Sequence, residues 1–190
     1  MNLYGSDKYD KSMQRKPFGP GKNAKFRPSR DSEYAKQLKE KQRARFIYGL
    51  SEKQFARLYD EATRVKGMTG DTMKQLLEQR LDNVLYRAGF AMTRLQSRQF
   101  AGHGLFKVNG QRVTTASFRV KPGQKIIVRT QSKDSPVFAG ILERTEKQVM
   151  PAWLKVNSKN LEIDVIALPT AADAEQALDM RQIVEFYSRN

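Results

Sequence analysis

Residues 89–113 read GFAMTRLQSRQFAGHGLFKVNGQRV, and two adjoining signals in this stretch decide the fold. Thr93, followed three residues later by Gln96, forms a capping-box pattern in which each side chain satisfies a backbone N–H at a helix start. The spacing predicts a short helix from Arg94 to about Ala101, closed by Gly102 or Gly104. Asn109-Gly110, flanked by strand formers, predicts a β-hairpin with a type I′ turn, because both central residues must take positive φ. A two-residue turn also fixes the register: Val108 opposite Gln111, Lys107 opposite Arg112 and Phe106 opposite Val113. Strand alternation then sends Phe106 and Val113 to one face and Lys107 and Arg112 to the other. Two cations facing each other across strands repel unless something negative relieves them, and phosphates would do so.

Charge supports this reading. The stretch holds Arg94, Arg98, Lys107 and Arg112 and no Asp or Glu. Between Asp82 and Asp134 lie 51 residues with ten Lys or Arg and no acid. The whole chain of 190 residues carries 35 Lys and Arg against 20 Asp and Glu, a net charge of +15. From Leu161 to Asn190 there are six acids and two bases, which leaves +19 on the first 160 residues. A polyanion is the partner such a balance implies.

Working outward, SFRVK (117–121) alternates apolar and basic residues, Pro122-Gly123 suits a type II turn, and KIIVR (125–129) resumes, which predicts two more strands. On the amino-terminal side, Met73, Leu76, Leu77, Leu81, Val84, Leu85 and Ala88 keep helical phase up to Gly89, as one long helix or two joined near Arg80. Before the break at KGMTGD, Ser51 and Gln54 form another capping box, with Phe55, Leu58, Tyr59 and Ala62 on one helix face. A further helix from Ser32 to Gly49 is coated by Lys36, Lys39, Lys41, Arg43 and Arg45. Residues 1–30 combine Lys, Arg, Gly, Pro and Ser with little apolar periodicity and read as an extended basic arm. Towards the carboxyl end, Leu161, Ile163 and Val165 alternate in a hairpin extending the sheet, and Met180, Ile183, Val184 and Tyr187 share a face of a last helix from about Ala177. Its acids Glu175, Asp179 and Glu185 make that end a poor surface for a polyanion.

Several classes fall away. No run of about 18 apolar residues and no secretory leader pattern is present, so neither a membrane nor export is expected, and the cytoplasm is the expected compartment. With zero Cys and a single His, thiol catalysis, disulfides and cysteine or histidine metal clusters have no residues to build them. No cofactor, no metal and no small-molecule substrate are expected. The chain reads as a binding protein and not an enzyme.

The sequence RLDNVLYRAGFAMTRLQSRQFAGHGLFKVNGQRV (80–113) with VKPGQKIIVR (120–129) resembles the RNA-binding module named after small-subunit ribosomal protein four. EYAKQLKEKQRARFIYGLSEKQFARLYDEA (33–62), TGDTMKQLLEQRLDN (69–83), PAWLKVN (151–157) and IVEFYSR (183–189) extend the likeness to the bacterial-type ribosomal protein family that founded the module. The resemblance implies an α+β fold: a helical domain plus an RNA-binding module of two short helices and a twisted antiparallel sheet. The expected division is a basic extended arm over 1–30, a helical domain over 31–79 completed by 168–190, and the module with its sheet extension over 80–167. The resemblance also implies primary binding of small-subunit (16S) ribosomal RNA in its five-prime domain and early assembly of the body. It implies contact with small-subunit ribosomal protein five and other small-subunit proteins, mRNA passing nearby, and an influence on translational accuracy. A subset of the family carries a four-cysteine zinc knuckle near its amino terminus, which this Cys-free chain cannot form. The chain is expected to begin later than many members, and Gly21-Lys22-Asn23-Ala24 matches the family's Gly-Gln-His-Gly turn only loosely.

Structured RNA is recognised mostly by shape and phosphate, since side chains cannot read its deep major groove. The cations expected to contact rRNA are Lys39, Arg43 and Arg45 on the first helix and Arg94, Arg98, Lys107, Arg112, Arg119 and Lys121 in the module. Phe90 and Phe106 are expected in the core, and Tyr86 is open between packing and base stacking. His103 could meet a phosphate or be an ordinary loop histidine. A pseudouridine synthase carrying the same module would need a catalytic domain, for which the 61 residues after Arg129 are too few. A general RNA chaperone needs the same cations but not the helices before Arg80. A nucleoid DNA-binding protein would show a recognition helix or dimeric heptads, and none is visible.

Overall fold

A computed structural model describes residues 31–133, 135–138, 140, 141, 145 and 149–189, together with 11, 14 and 15. The expected arm over 1–30 otherwise lies outside the described residues, and Lys11, Gln14 and Arg15 are helical.

Helix α1 (Glu33–Tyr48) starts where the Ser32 hydroxyl accepts the Ala35 N–H, and it stops at Gly49, whose φ of 62° is the left-handed turn that glycine takes without strain. Ser51 and Gln54 complete both halves of the capping box that opens α2 (Glu52–Arg64). Phe55, Leu58 and Ala62 face inward there, as the spacing predicts. The long apolar phase after residue 69 resolves into two helices, α3 (Thr69–Glu78) and α4 (Leu81–Arg87), with Arg80 extended between them. Helix α5 (Arg94–Gly102) follows, its first turn held by the Thr93 hydroxyl accepting from Gln96 N–H.

Five strands form one antiparallel sheet in the order β2-β1-β3-β5-β4: β1 (Phe106–Val108), β2 (Gln111–Val113), β3 (Lys125–Val128), β4 (Leu154–Asn157) and β5 (Glu162–Val165). The hairpin register is the one the two-residue turn dictates, with Phe106 opposite Val113, Lys107 opposite Arg112 and Val108 opposite Gln111. Asn109 and Gly110 take φ of 47° and 84°, the type I′ pair. The β4–β5 hairpin extends the sheet through β3–β5 pairing.

One expectation is corrected. SFRVK does not form a strand, and among the described residues its only ladder contact is an isolated bridge from Arg119 to Arg80. Its backbone goes to the helix joint instead: Val120 N–H donates to Gln79 O at 2.9 Å, Leu81 N–H to Phe118 O at 2.8 Å, and Asp82 N–H to Ala116 O at 3.1 Å. The same bonds satisfy backbone groups that a continuous α3–α4 helix would have paired internally, which is why the helix breaks at Arg80.

The last helix, α6 (Met180–Ser188), begins three residues later than its apolar spacing suggests, with Asp179 as its N-cap. Met180 and Ile183 join Ala44, Phe55, Leu58, Met73 and Leu77 in one hydrophobic cluster. The other cluster lies between α4, α5 and the inner sheet face and holds Leu85, Phe90, Phe100, Phe106, Ile126 and Ile163. The fold is therefore α+β, with a helical core closed by the carboxyl-terminal helix and a helix-on-sheet core beside it.

Candidate nucleic-acid interface

The hairpin supplies the exterior. Phe106 and Val108 are buried while Lys107 is half-buried and Arg112 exposed, so the two cations share the outer sheet face. Arg112 is oriented through its head group: its guanidinium donates to Gly104 O at 3.3 Å and His103 O at 3.1 Å. Gly104 permits this approach, because a Cβ there would lie 2.5 Å from Arg112 Nε, and its φ of 65° disfavours other residues. His103 is exposed and takes part through its carbonyl.

The outer face is not uniformly basic. On β5, Glu162 and Asp164 stand near Lys125, whose Nζ lies 3.3 Å from Glu162 and 3.7 Å from Asp164, so the β3–β5 side is close to neutral. Positive potential concentrates at the β1–β2 end. Lys121 is exposed on the turn before β3, where Gly123 N–H donates to Val165 O of β5.

Arg94 and Arg98 do share one face of α5, but that face turns towards the helical core. Arg98 donates to the Gly49 carbonyl. Arg94 is corrected from a surface cation to a largely covered one, with 13% of its side chain exposed. Its Nε donates to Asn83 Oδ1 at 3.0 Å, its second nitrogen meets Glu175 at 3.2 Å, and its Cζ lies 4.4 Å from the Tyr86 ring centre and 5.0 Å from that of Tyr48. Tyr86, open in the sequence, thus has one face covered by a guanidinium. Arg119 forms a two-point ion pair with Glu61 on α2. Those bonds hold the Glu61 carboxyl below its ordinary range.

On α1, Lys39 is exposed and paired with Asp31, Arg43 meets Glu40 at 3.4 Å, and Arg45 meets Glu52 at 2.8 Å. Glu52 also accepts from Lys41 and from the Tyr187 hydroxyl on α6. Among the acids of the carboxyl-terminal part, Asp179 caps α6, Glu175 meets Arg94 and Glu185 accepts from Gln37.

Sequence reasoning passed over the group that frames this surface. Glu78, fully buried at the end of α3, accepts from Tyr48 Oη at 2.8 Å, Asn83 Nδ2 at 2.6 Å, and Arg87 Nε and a second guanidinium nitrogen at 2.9 and 3.0 Å. Burial and the neighbouring carboxylate hold the Tyr48 hydroxyl well above the ordinary phenol range. Burial works against the charged form of Arg87, yet the Glu78 bonds more than offset it and raise the guanidinium further. The only signal in the sequence was an acid next to the apolar run of α3. Among the described residues no group of three or more His, Cys, Asp or Glu could hold a metal ion, and no helix is long and apolar enough to cross a membrane.

Comparison with known proteins agrees with this geometry. The family described as "Ribosomal protein S4/S9 N-terminal domain" matches residues 1–78, and the S4 domain matches residues 79–126. Small ribosomal subunit protein uS4 of Cutibacterium acnes is 48% identical over 180 residues, covering 95% of this chain and 89% of that protein. The uS4 proteins of Natranaerobius thermophilus and Treponema denticola are 44% and 41% identical, covering 94% and 100% of this chain and 85% and 92% of their own lengths. With an amino-terminal helical core, an S4 module built on the Asn109-Gly110 hairpin, and this similarity along nearly the whole chain, the protein belongs to the small ribosomal subunit protein uS4 family.

Proposed function

We propose that this protein is a structural constituent of the small ribosomal subunit, working in the cytoplasm as a primary binder of small-subunit rRNA in the five-prime domain and nucleating assembly of the body. The observation that carries the proposal is the opposed pair Lys107 and Arg112 on an outer strand face with no acid from Asn83 to Lys133. Such a pair is destabilising in isolation and is relieved by a phosphodiester chain laid across the hairpin. The rRNA contacts we assign to the module are Lys107 and Arg112 at the exposed end and Lys121 on the turn before β3, with Arg98 and Arg119 at its border with the helices. Lys39, Arg43 and Arg45 are assigned to the helical side, and Arg94 orients the platform from beneath.

The two separate hydrophobic clusters support a division into a helical domain of 31–79 completed by 168–190 and a module of 80–167. Contact with small-subunit protein five, and through it an effect on translational accuracy, is part of the same proposal, as is mRNA passing nearby. The acids Glu175, Asp179 and Glu185 are engaged within the chain, so a protein neighbour would meet other groups of this end.

The test is equilibrium binding of the full chain to a five-prime-domain rRNA fragment and to duplex DNA across a salt series. Six or more phosphate contacts predict a fall of about a thousandfold or more between 50 and 200 mM salt, with the rRNA fragment bound more tightly than duplex DNA throughout. Equal affinity for the two nucleic acids would overturn the reading.

A further inference from the structure

The cations of α1 and those of α2 differ in one respect that spacing alone does not reveal. Lys36, Lys39, Lys41, Arg43 and Arg45 on α1 each lie within ion-pair distance of an acid. On α2, Lys53, Arg57 and Arg64 are exposed, and among the described residues none of them has an ion-pair partner. They are spaced four and seven residues apart, directly opposite the buried Phe55, Leu58 and Ala62, so they form a straight ridge. At 1.5 Å per residue the ridge is about 16 Å long.

The acids of α2 are disposed so as to leave this ridge positive. Glu52 is drawn to Lys41, Arg45 and Tyr187, and Glu61 is bonded to Arg119, with Arg64 of the ridge as a weaker electrostatic neighbour. Asp60 alone among the helix's acids stays on the ridge, against three cations. The Glu61–Arg119 pair also fixes where the ridge lies, because Arg119 belongs to the module and sits two residues before the exposed Lys121. The α2 ridge therefore meets the module at Arg119, beside the helix joint at Arg80.

From this we infer that the outer face of α2, through Lys53, Arg57 and Arg64, is a second phosphate-binding surface that continues the module's interface along the RNA. The inference rests on the rRNA reading above, deepens it, and moves the main helical contribution from α1 to α2. A face kept basic only for solubility would not need its acids drawn off to other elements, and a protein-docking face would carry apolar residues that this ridge lacks.

The experiment compares two multiple variants of the full chain against a five-prime-domain rRNA fragment across a salt series, with thermal melting as the control for folding. Lys53→Gln/Arg57→Gln/Arg64→Gln should bind roughly tenfold more weakly at moderate salt and lower the salt slope by about two units, with the melting midpoint within a few degrees of the parent. Asp60→Asn should bind more tightly, a gain that a structural role would not produce. If Lys107→Gln/Lys121→Gln weakens binding while the α2 variant and Asp60→Asn leave it unchanged, the α2 surface is refuted and the rRNA reading stands. If neither multiple variant changes binding, both are refuted.

Discussion

Cations of the same acid-free run do opposite work in this protein, and burial decides which. Arg94 lies against the rings of Tyr48 and Tyr86 and bonds the buried Asn83, whereas Lys107 is half-buried on the outer sheet face. Replacing Arg94 with Ala strips Asn83 Oδ1 of its donor and removes two cation–ring contacts, a loss of about 2–3 kcal/mol. Lys107→Gln removes no such contact and should change stability by less than about 0.5 kcal/mol while weakening RNA binding. Urea unfolding of the two variants checks this: equal stability would mean that the Arg94 contacts contribute nothing. The same logic explains why the sequence did not distinguish them. Both lie in the acid-free run, and the acid that Arg94 meets, Glu175, is 81 residues away in the chain.

At the scale of elements, what was legible is what local chemistry dictates. The Asn109-Gly110 turn, the Ser51/Gln54 capping box and the Gly49 stop each specify their geometry within four residues, and each is found where the sequence puts it. SFRVK was misread because its alternation is real but its partners are not strands: Phe118 and Val120 pack towards the module core while the backbone bonds the α3–α4 joint. Period-two patterning reports one buried face and says nothing about which backbone lies alongside. The pairings of the α1 cations were illegible for a similar reason, since Lys41 and Arg45 reach Glu52 on the next helix, after the chain has reversed at Gly49. The hairpin itself invites a test. Gly110 sits at φ 84° with nothing near enough to obstruct a Cβ, so Gly110→Ala isolates the conformational cost of the turn. It should destabilise by about 1–2 kcal/mol in urea unfolding, and a neutral result would show that the hairpin does not depend on a left-handed residue there.

Across the whole molecule, charged groups join the two hydrophobic cores. Glu78 ties α1 to α4, Arg94 ties α5 to the chain before α6, and Glu61 on α2 holds Arg119 of the module. Helix α2 is fastened at both ends by carboxylates. Glu52 is raised by its partial burial but lowered by more through bonds from Tyr187 and Lys41, and Glu61 is lowered chiefly by its bond to Arg119, so both lie below the ordinary value of 4.5. A carboxylate whose folded-state value is depressed binds its proton more readily when unfolded, so the stability it contributes is present above pH 4.5 and lost as pH falls through its lower folded value. These two groups thus contribute a constant stability from pH 7 to about 5 and a declining one below 4.5. Glu61→Gln, which keeps the shape but cannot ionise, should be less stable than the parent at pH 7, and the gap should narrow as pH falls below 4.5, because only the parent loses the ion pair's contribution there. Urea midpoints measured at pH 7 and pH 3 decide the matter, and a gap between the two proteins that stays constant down to pH 3 would show that the Glu61 charge does not tether the helical core to the module.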